Sequence, residues 1–199
     1  MGLKLITPPA TDPISLAEAK AHLRVVSTDD DAYISAAISS ATQYCEKFAG
    51  RAFIDQTWDL YLDTFPPEEI KIPLPPLISI VSVSYFDSTA VEQTLDPNSY
   101  YVDSISEPGW IVPQGDLTWP TNLLSAINSV RIRFRAGYNS SPPVQNVPDD
   151  ILAAIKLTLG ALYENREQVI VSESRAAVNA MPSGAEQLLR LRRIELSMA

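Results

Sequence analysis

The sequence predicts an α+β fold: a helical bundle of two N-terminal helices plus one long C-terminal helix, with an inserted small antiparallel β unit and a C-terminal tail helix. Three observations predict it. Apolar residues recur at helical spacing near both ends of the chain. Between them, over residues 57–137, the pattern changes to period two with frequent turn residues. A helix-start signature at Ser183 then precedes the apolar and basic stretch LLRLRRIEL. The expected segments are 1–56 (N-terminal helices), 57–137 (β unit), 138–182 (bundle helix and linker) and 183–199 (tail helix).

The first helix opens on Ser15 with Glu18 three residues on, the spacing of a capping box. Leu16, Ala19, Leu23 and Val26 then share one face. Pro8, Pro9 and Pro13 keep the preceding segment extended. The second helix follows Thr28–Asp31, whose carboxylates suit the positive end of a helix dipole. Ile34, Ala37, Ile38, Ala41, Cys45 and Phe48 make its apolar stripe, and Gly50 supplies the stop. Cys45 reads as a small core residue.

In the β unit, Trp58, Leu60 and Leu62 alternate with Asp59, Tyr61 and Asp63. Prolines 66, 67, 73, 75 and 76 bracket a short Ile70–Ile72 segment. Residues 78–86 form a strand whose apolar parity switches between Ile80 and Val81, which asks for a bulge there or burial of both faces. Weaker strands are expected at 91–95, 100–103 and 110–112. In VRIRFR, Val130, Ile132 and Phe134 face one way and Arg131, Arg133 and Arg135 the other. The next helix starts at Pro148 with Asp149 and Asp150 and buries Ile151, Leu152, Ile155, Leu159, Leu162 and Tyr163. Residues 165–182 have no firm period. Ser183 and Glu186 then have the spacing of a second capping box.

Composition excludes several functions. The 199 residues carry 24 acids against 15 bases, a net charge of −9, which argues against a general nucleic-acid clamp. One cysteine excludes an internal disulfide framework, and one histidine excludes His-rich zinc sites. His22 reads as structural. No targeting signal or run of about 18 apolar residues appears, so a soluble, cytosolic protein is the expectation. No nucleophile elbow, P-loop or dinucleotide fingerprint occurs, and no cofactor or metal is implied. The acids concentrate early: residues 1–70 hold 11 acids and 5 bases, a net of −6.

Three groups stand out. Asp29, Asp30 and Asp31 read first as helix-start acids, with metal binding the sharper alternative. Arg131, Arg133 and Arg135 form either a solvated strand face or a contact with an acidic partner. In the tail, Leu188, Leu189, Leu191, Ile194 and Leu196 spread around the helix among Arg190, Arg192 and Arg193; it must bury itself in its own core or in a partner. Two other functions are compatible with the residues. Trp58, Trp110, Trp119, Tyr100 and Tyr101 could form a stacking platform for a carbohydrate or other ligand. Some pair among the 24 acids could serve a hydrolase.

In order along the chain, the residues resemble the head–tail connector (adaptor, or head-completion) proteins of long-tailed bacteriophages and gene-transfer particles. PISLAEAKAHLRV followed by DDDAYI is similar to that family's opening, and ATQYCEKFAGRAF to its second helix. TW at 57–58 and PLPPLISIVSVSYFD resemble its first strands. VRIRFRAGY, VPDDILAAIKLTLGALYENRE and MPSGAEQLLRLRR resemble its closing strand, long helix and tail. The resemblance implies no enzyme. It implies a ring, usually dodecameric, that docks beneath the portal protein, extends the DNA channel and receives a stopper or tail-terminator protein. On that reading Leu188, Leu189, Arg190, Leu191, Arg192 and Arg193 are candidates for portal docking. Arg131, Arg133 and Arg135 are candidates for a subunit or tail-side contact, and Asp29, Asp30 and Asp31 for acids facing the channel. Location would be the virion neck, with the host cytoplasm during assembly and no membrane partner.

Overall fold

A computed structural model describes residues 1–138, 147–165 and 181–194. The element order is β1 (Gly2–Thr7), α1 (Leu16–Leu23), α2 (Asp31–Ala49), β2 (Gln56–Leu62), β3 (Ile70–Lys71), β4 (Leu77–Phe86), β5 (Glu92–Thr94), β6 (Tyr100–Asp103), β7 (Trp110–Pro113), β8 (Val130–Ala136), α3 (Asp149–Glu164) and α4 (Ser183–Arg190). The strands form an antiparallel five-stranded sheet in the order β1-β2-β8-β4-β5 and a smaller sheet in the order β3-β7-β6.

This overturns the expected architecture. The chain is not a helical bundle with one long C-terminal helix and a small β insertion. Four helices and two antiparallel sheets of eight strands share the described residues about equally. The reason is visible in β1 and in the core. β1 leaves the N-terminus to pair with β2, with Leu3 opposite Leu60 and Leu5 opposite Trp58. The sheets also bury a core of their own, in which Leu60, Val83, Ile132 and Phe134 of the large sheet meet Ile70, Tyr100 and Ile111 of the small one. The helical core, built on Ile34, Ile38, Cys45, Ile151, Ile155 and Leu159, is a separate cluster. α3 ends at Glu164 and is shorter than α2.

Local signals were realised where they depended on neighbours in sequence. Ser15 accepts from the Glu18 N–H, and the Glu18 carboxylate accepts from the Ser15 N–H at 2.9 Å, completing the capping box. Gly50 ends α2 at φ 66°, in the left-handed region that glycine enters without strain. In β4 the register against β8 slips between Ile80 and Ser82, so Val81 is the extra residue and faces out.

The second capping box does not form. Pro182 occupies the cap position, and Ser183 is already inside α4. Glu186 instead accepts from the Arg190 guanidinium one turn on, at 2.6 Å. α4 therefore begins without a side-chain cap and stops at Arg190. Leu196 and most of the expected linker over 165–182 lie outside the described residues.

Gly137 joins the two halves of the molecule. Its φ is +118°, and a Cβ there would lie 2.2 Å from the Ile54 carbonyl oxygen. Only glycine lets the end of β8 pass this close to residue 54, where Ile54 bridges to Tyr138.

Candidate functional site

The arginine row lies on the outer face of the large sheet, opposite the buried residues of β8. Each member has an acid of this chain as partner. Arg131 pairs with Glu92 and Arg135 with Asp55. Arg133 grips Asp59 with both limbs of its guanidinium, at 2.7 and 2.9 Å. Asp59 is only 1% exposed, so this bidentate pair satisfies a carboxylate that water barely reaches. The Asp55 and Asp59 partners hold the Arg135 and Arg133 guanidinium groups above their ordinary pKa.

The tail packs mainly on its own chain. Leu189 is fully buried in the helical core with Met181 and Ala185, and Leu188 packs partly against it. Arg192 donates to Asp150 at 2.8 Å, while its carbonyl accepts from Arg51 Nε at 2.5 Å. The Arg193 guanidinium lies 5.4 Å from the Phe48 ring centroid, and the Ile194 N–H bonds to the Ala49 carbonyl at 3.0 Å. Leu191 points away from this packing, 82% exposed beside the exposed Arg190.

The three acids sit at the start of α2. Asp29 is exposed and accepts from Ser27 Oγ at 2.6 Å. Asp30 accepts from the Tyr163 hydroxyl at 2.6 Å, tying α2 to the end of α3. Asp31 pairs with Lys20 at 2.5 Å. Because α2 has 19 residues, these acids stand about 28 Å along the helix from the tail packed on Ala49. The structure thus keeps the three candidate groups apart: tail and acids at opposite ends of α2, arginines on the sheet. Among the described residues, no group of three or more His, Cys, Asp or Glu side chains could hold a metal ion.

Two of the five aromatic residues considered for a platform are withdrawn into the core. Trp119 is buried and stacks on Phe65 at 5.0 Å, and Tyr100 is buried in the core between the sheets. Both plug the interior.

One feature was missed in the sequence. A cavity of about 460 Å³ opens between β1, the segment after it, α2 and β2, lined by Leu5, Pro8, Thr42, Glu46, Arg51 and Trp58 among others. Three lining residues carry a buried polar atom with no hydrogen-bond partner: Thr42 Oγ1, Arg51 Nη1 and Trp58 Nε1. Thr42 and Arg51 are only 6% and 5% exposed. Glu46 accepts from the Phe53 N–H at 2.7 Å and from Gln56 at 2.8 Å, yet burial raises its pKa. Thr42 was the available signal, a polar residue beside the apolar stripe of a helix.

Fold and site together set paired charges on the outer sheet face, a tail packed on the helical core and a cavity beside β1. The resemblance to phage head–tail connectors holds: residues 13–103 match the family described as Phage gp6-like head-tail connector protein. No curated protein matches the chain. Among solved structures, a chain of the virion of a native gene transfer agent particle superposes with TM-score 0.77 at 21% identity, covering 100% of this chain and 99% of that one. A chain from the neck of the native particle, computed with C12 symmetry, gives 0.77 at 20% identity with the same coverage. A chain from the neck of the empty particle, computed with C6 symmetry, gives 0.76 at 21%, again covering 100% and 99%. At this identity the likeness is one of fold.

Proposed function

We propose that this chain is a structural component of a phage-type particle neck, a head–tail adaptor that assembles as a homo-oligomeric ring. The observation that carries the reading is the end-to-end likeness of fold to chains from particle necks, joined to the connector-family match over residues 13–103. The role is structural rather than catalytic. The ring docks on the portal protein, extends the DNA channel and presents the next surface to a stopper or tail-terminator protein. A conduit should not grip its cargo, and a net charge of −9 disfavours tight binding to phosphates.

The tail docks on the portal. Leu189 and Arg192 hold it to its own chain, so Leu191 and Arg190 are the side chains that reach the partner, with Leu188 and Arg193 beside them. Asp29, with Asp30 and Asp31 behind it, lies near the channel. The outer sheet face of Arg131, Arg133 and Arg135 meets a neighbouring copy or the next neck component as a surface of paired charges. Electron microscopy of the chain mixed with portal protein, or of the particle neck, tests the whole reading. A ring of this chain against the portal is expected, and its absence there would sink the proposal.

A further inference from the structure

We infer that Arg51 is a positioning residue that couples the tail to the loop between β6 and β7, so that releasing either one loosens the other. The coupling lies within one chain and holds whether or not copies form a ring.

Arg51 directly follows the Gly50 stop of α2, and its side chain is only 5% exposed. The backbone here is fixed. The Arg51 N–H bonds to the Glu46 carbonyl at 3.2 Å, and the Ala52 N–H to the Pro75 carbonyl at 3.3 Å. From this point the guanidinium reaches two parts of the chain that are far apart in sequence. Nε donates to the Arg192 carbonyl in the tail at 2.5 Å. Nη2 donates to the Glu107 carboxylate in the β6–β7 loop.

The planar guanidinium turns two contacts into one device. Nε and Nη2 belong to one rigid fork, so the group cannot swing with one acceptor and keep its geometry at the other. Little water reaches the side chain to take a lost partner's place, so a donor left unmade is costly. The bond to Glu107 joins two charges and is the stronger of the pair, so it sets where the fork points.

Both sides have something to transmit. Beyond α4 the tail is held by this fork, by the Ile194 N–H on the Ala49 carbonyl at 3.0 Å and by Arg192 on Asp150 at 2.8 Å. The loop is folded on itself by Asp103, which accepts from the Ile105 and Ser106 N–H groups at 2.8 and 3.0 Å. Its end is joined to the small sheet by the Ile72 N–H on the Gly109 carbonyl at 2.8 Å. Glu107 carries it across to the helical half. Ile105, at the tip, is 93% exposed. A partner that engages the tail is thus felt at an exposed loop of the small sheet, and the effect runs equally in the other direction.

Amide hydrogen exchange of the full-length chain tests this. Glu107→Ala, a change on the loop, should speed exchange of the Ile194 N–H in the tail by at least about threefold, while the amides of β8 keep their rates. Glu107→Gln keeps an acceptor for Arg51 and should speed it less. Unchanged exchange at Ile194, or equal acceleration throughout β8, overturns the inference. Arg51→Met keeps the apolar stem and removes the fork. In that background Glu107→Ala should add no further acceleration at Ile194. Added acceleration would mean that the loop reaches the tail by another route, and Arg51 would lose the role. If Arg51→Met does not fold, the two Glu107 variants decide alone.

Discussion

Asp59 shows how a buried charge is made tolerable. Two charge-assisted hydrogen bonds from Arg133 replace the water it has lost. Arg133 is itself about a third exposed, so the pair is worth less than a fully buried one. Removing Arg133 nevertheless strands a carboxylate that solvent barely touches. Arg133→Ala should therefore cost roughly 2–3 kcal/mol in urea unfolding. Arg131→Ala, whose Glu92 partnership is exposed on both sides, should cost under about 1 kcal/mol. Equal costs would mean that the sheet face does not distinguish the two. Glu46 has the opposite problem. Burial raises its folded pKa above the ordinary 4.5, so its ionised form disfavours folding. Stability that Glu46 allows when protonated is lost as pH rises from 4.5 through that raised value. Glu46→Gln keeps an oxygen to accept from Phe53 and Gln56 and removes the charge. The variant should melt higher than the parent at pH 8, and the gap should close as pH falls towards 4.5.

Elements divide by how local their causes are. The Ser15 capping box was legible because both partners lie within one helical turn. The β4 bulge was legible because apolar parity changes at Val81. β1 was not, since all its residues are exposed and its strand exists through pairing with residues fifty or more positions away. That omission left the large sheet without its first strand and tied the N-terminus to the helices alone. The partners of the arginine row, Asp55, Asp59 and Glu92, and the convergence of residues 42, 51 and 58 on one cavity are likewise products of tertiary folding. The Ser183 signature misled because Pro182 takes the cap and Arg190 takes Glu186. Ser15→Ala should accordingly destabilise the fold by about 1 kcal/mol, and Ser183→Ala by less than about 0.5 kcal/mol. Hydrogen bonds to Ser15 hold Glu18 below its ordinary 4.5, so the Ser15 contribution should be full above that pH and fade as pH drops through the lowered value. Chemical denaturation of both variants at pH 7 and pH 3 reads each of these.

At the scale of the whole molecule, the tail is part of the fold, and the portal contact is proposed for its exposed side. Leu189 and Ala185 belong to the helical core, and Arg51 and Ala49 hold the backbone at Arg192 and Ile194. Removing residues 183–199 would thus do more than remove a docking arm. Loss of a buried leucine alone costs about 2–5 kcal/mol, a large share of the stability of a domain. A truncated chain that fails to bind portal protein would therefore say little about docking. The exposed side of the same tail separates the two roles. Leu191 is 82% exposed, and the Arg190 side chain is exposed beside its Glu186 partner. Leu191→Asp with Arg190→Glu should lower the unfolding free energy by no more than about 1 kcal/mol, because both side chains are exposed at the end of α4 and the Glu186 pair lost is a surface one. The same double variant should lose co-sedimentation with portal protein. Leu189→Ala should do the reverse at moderate temperature, lowering the midpoint while the folded fraction still binds. If the double variant binds as the parent does, the portal is met by another surface and the tail is a brace for the helical core.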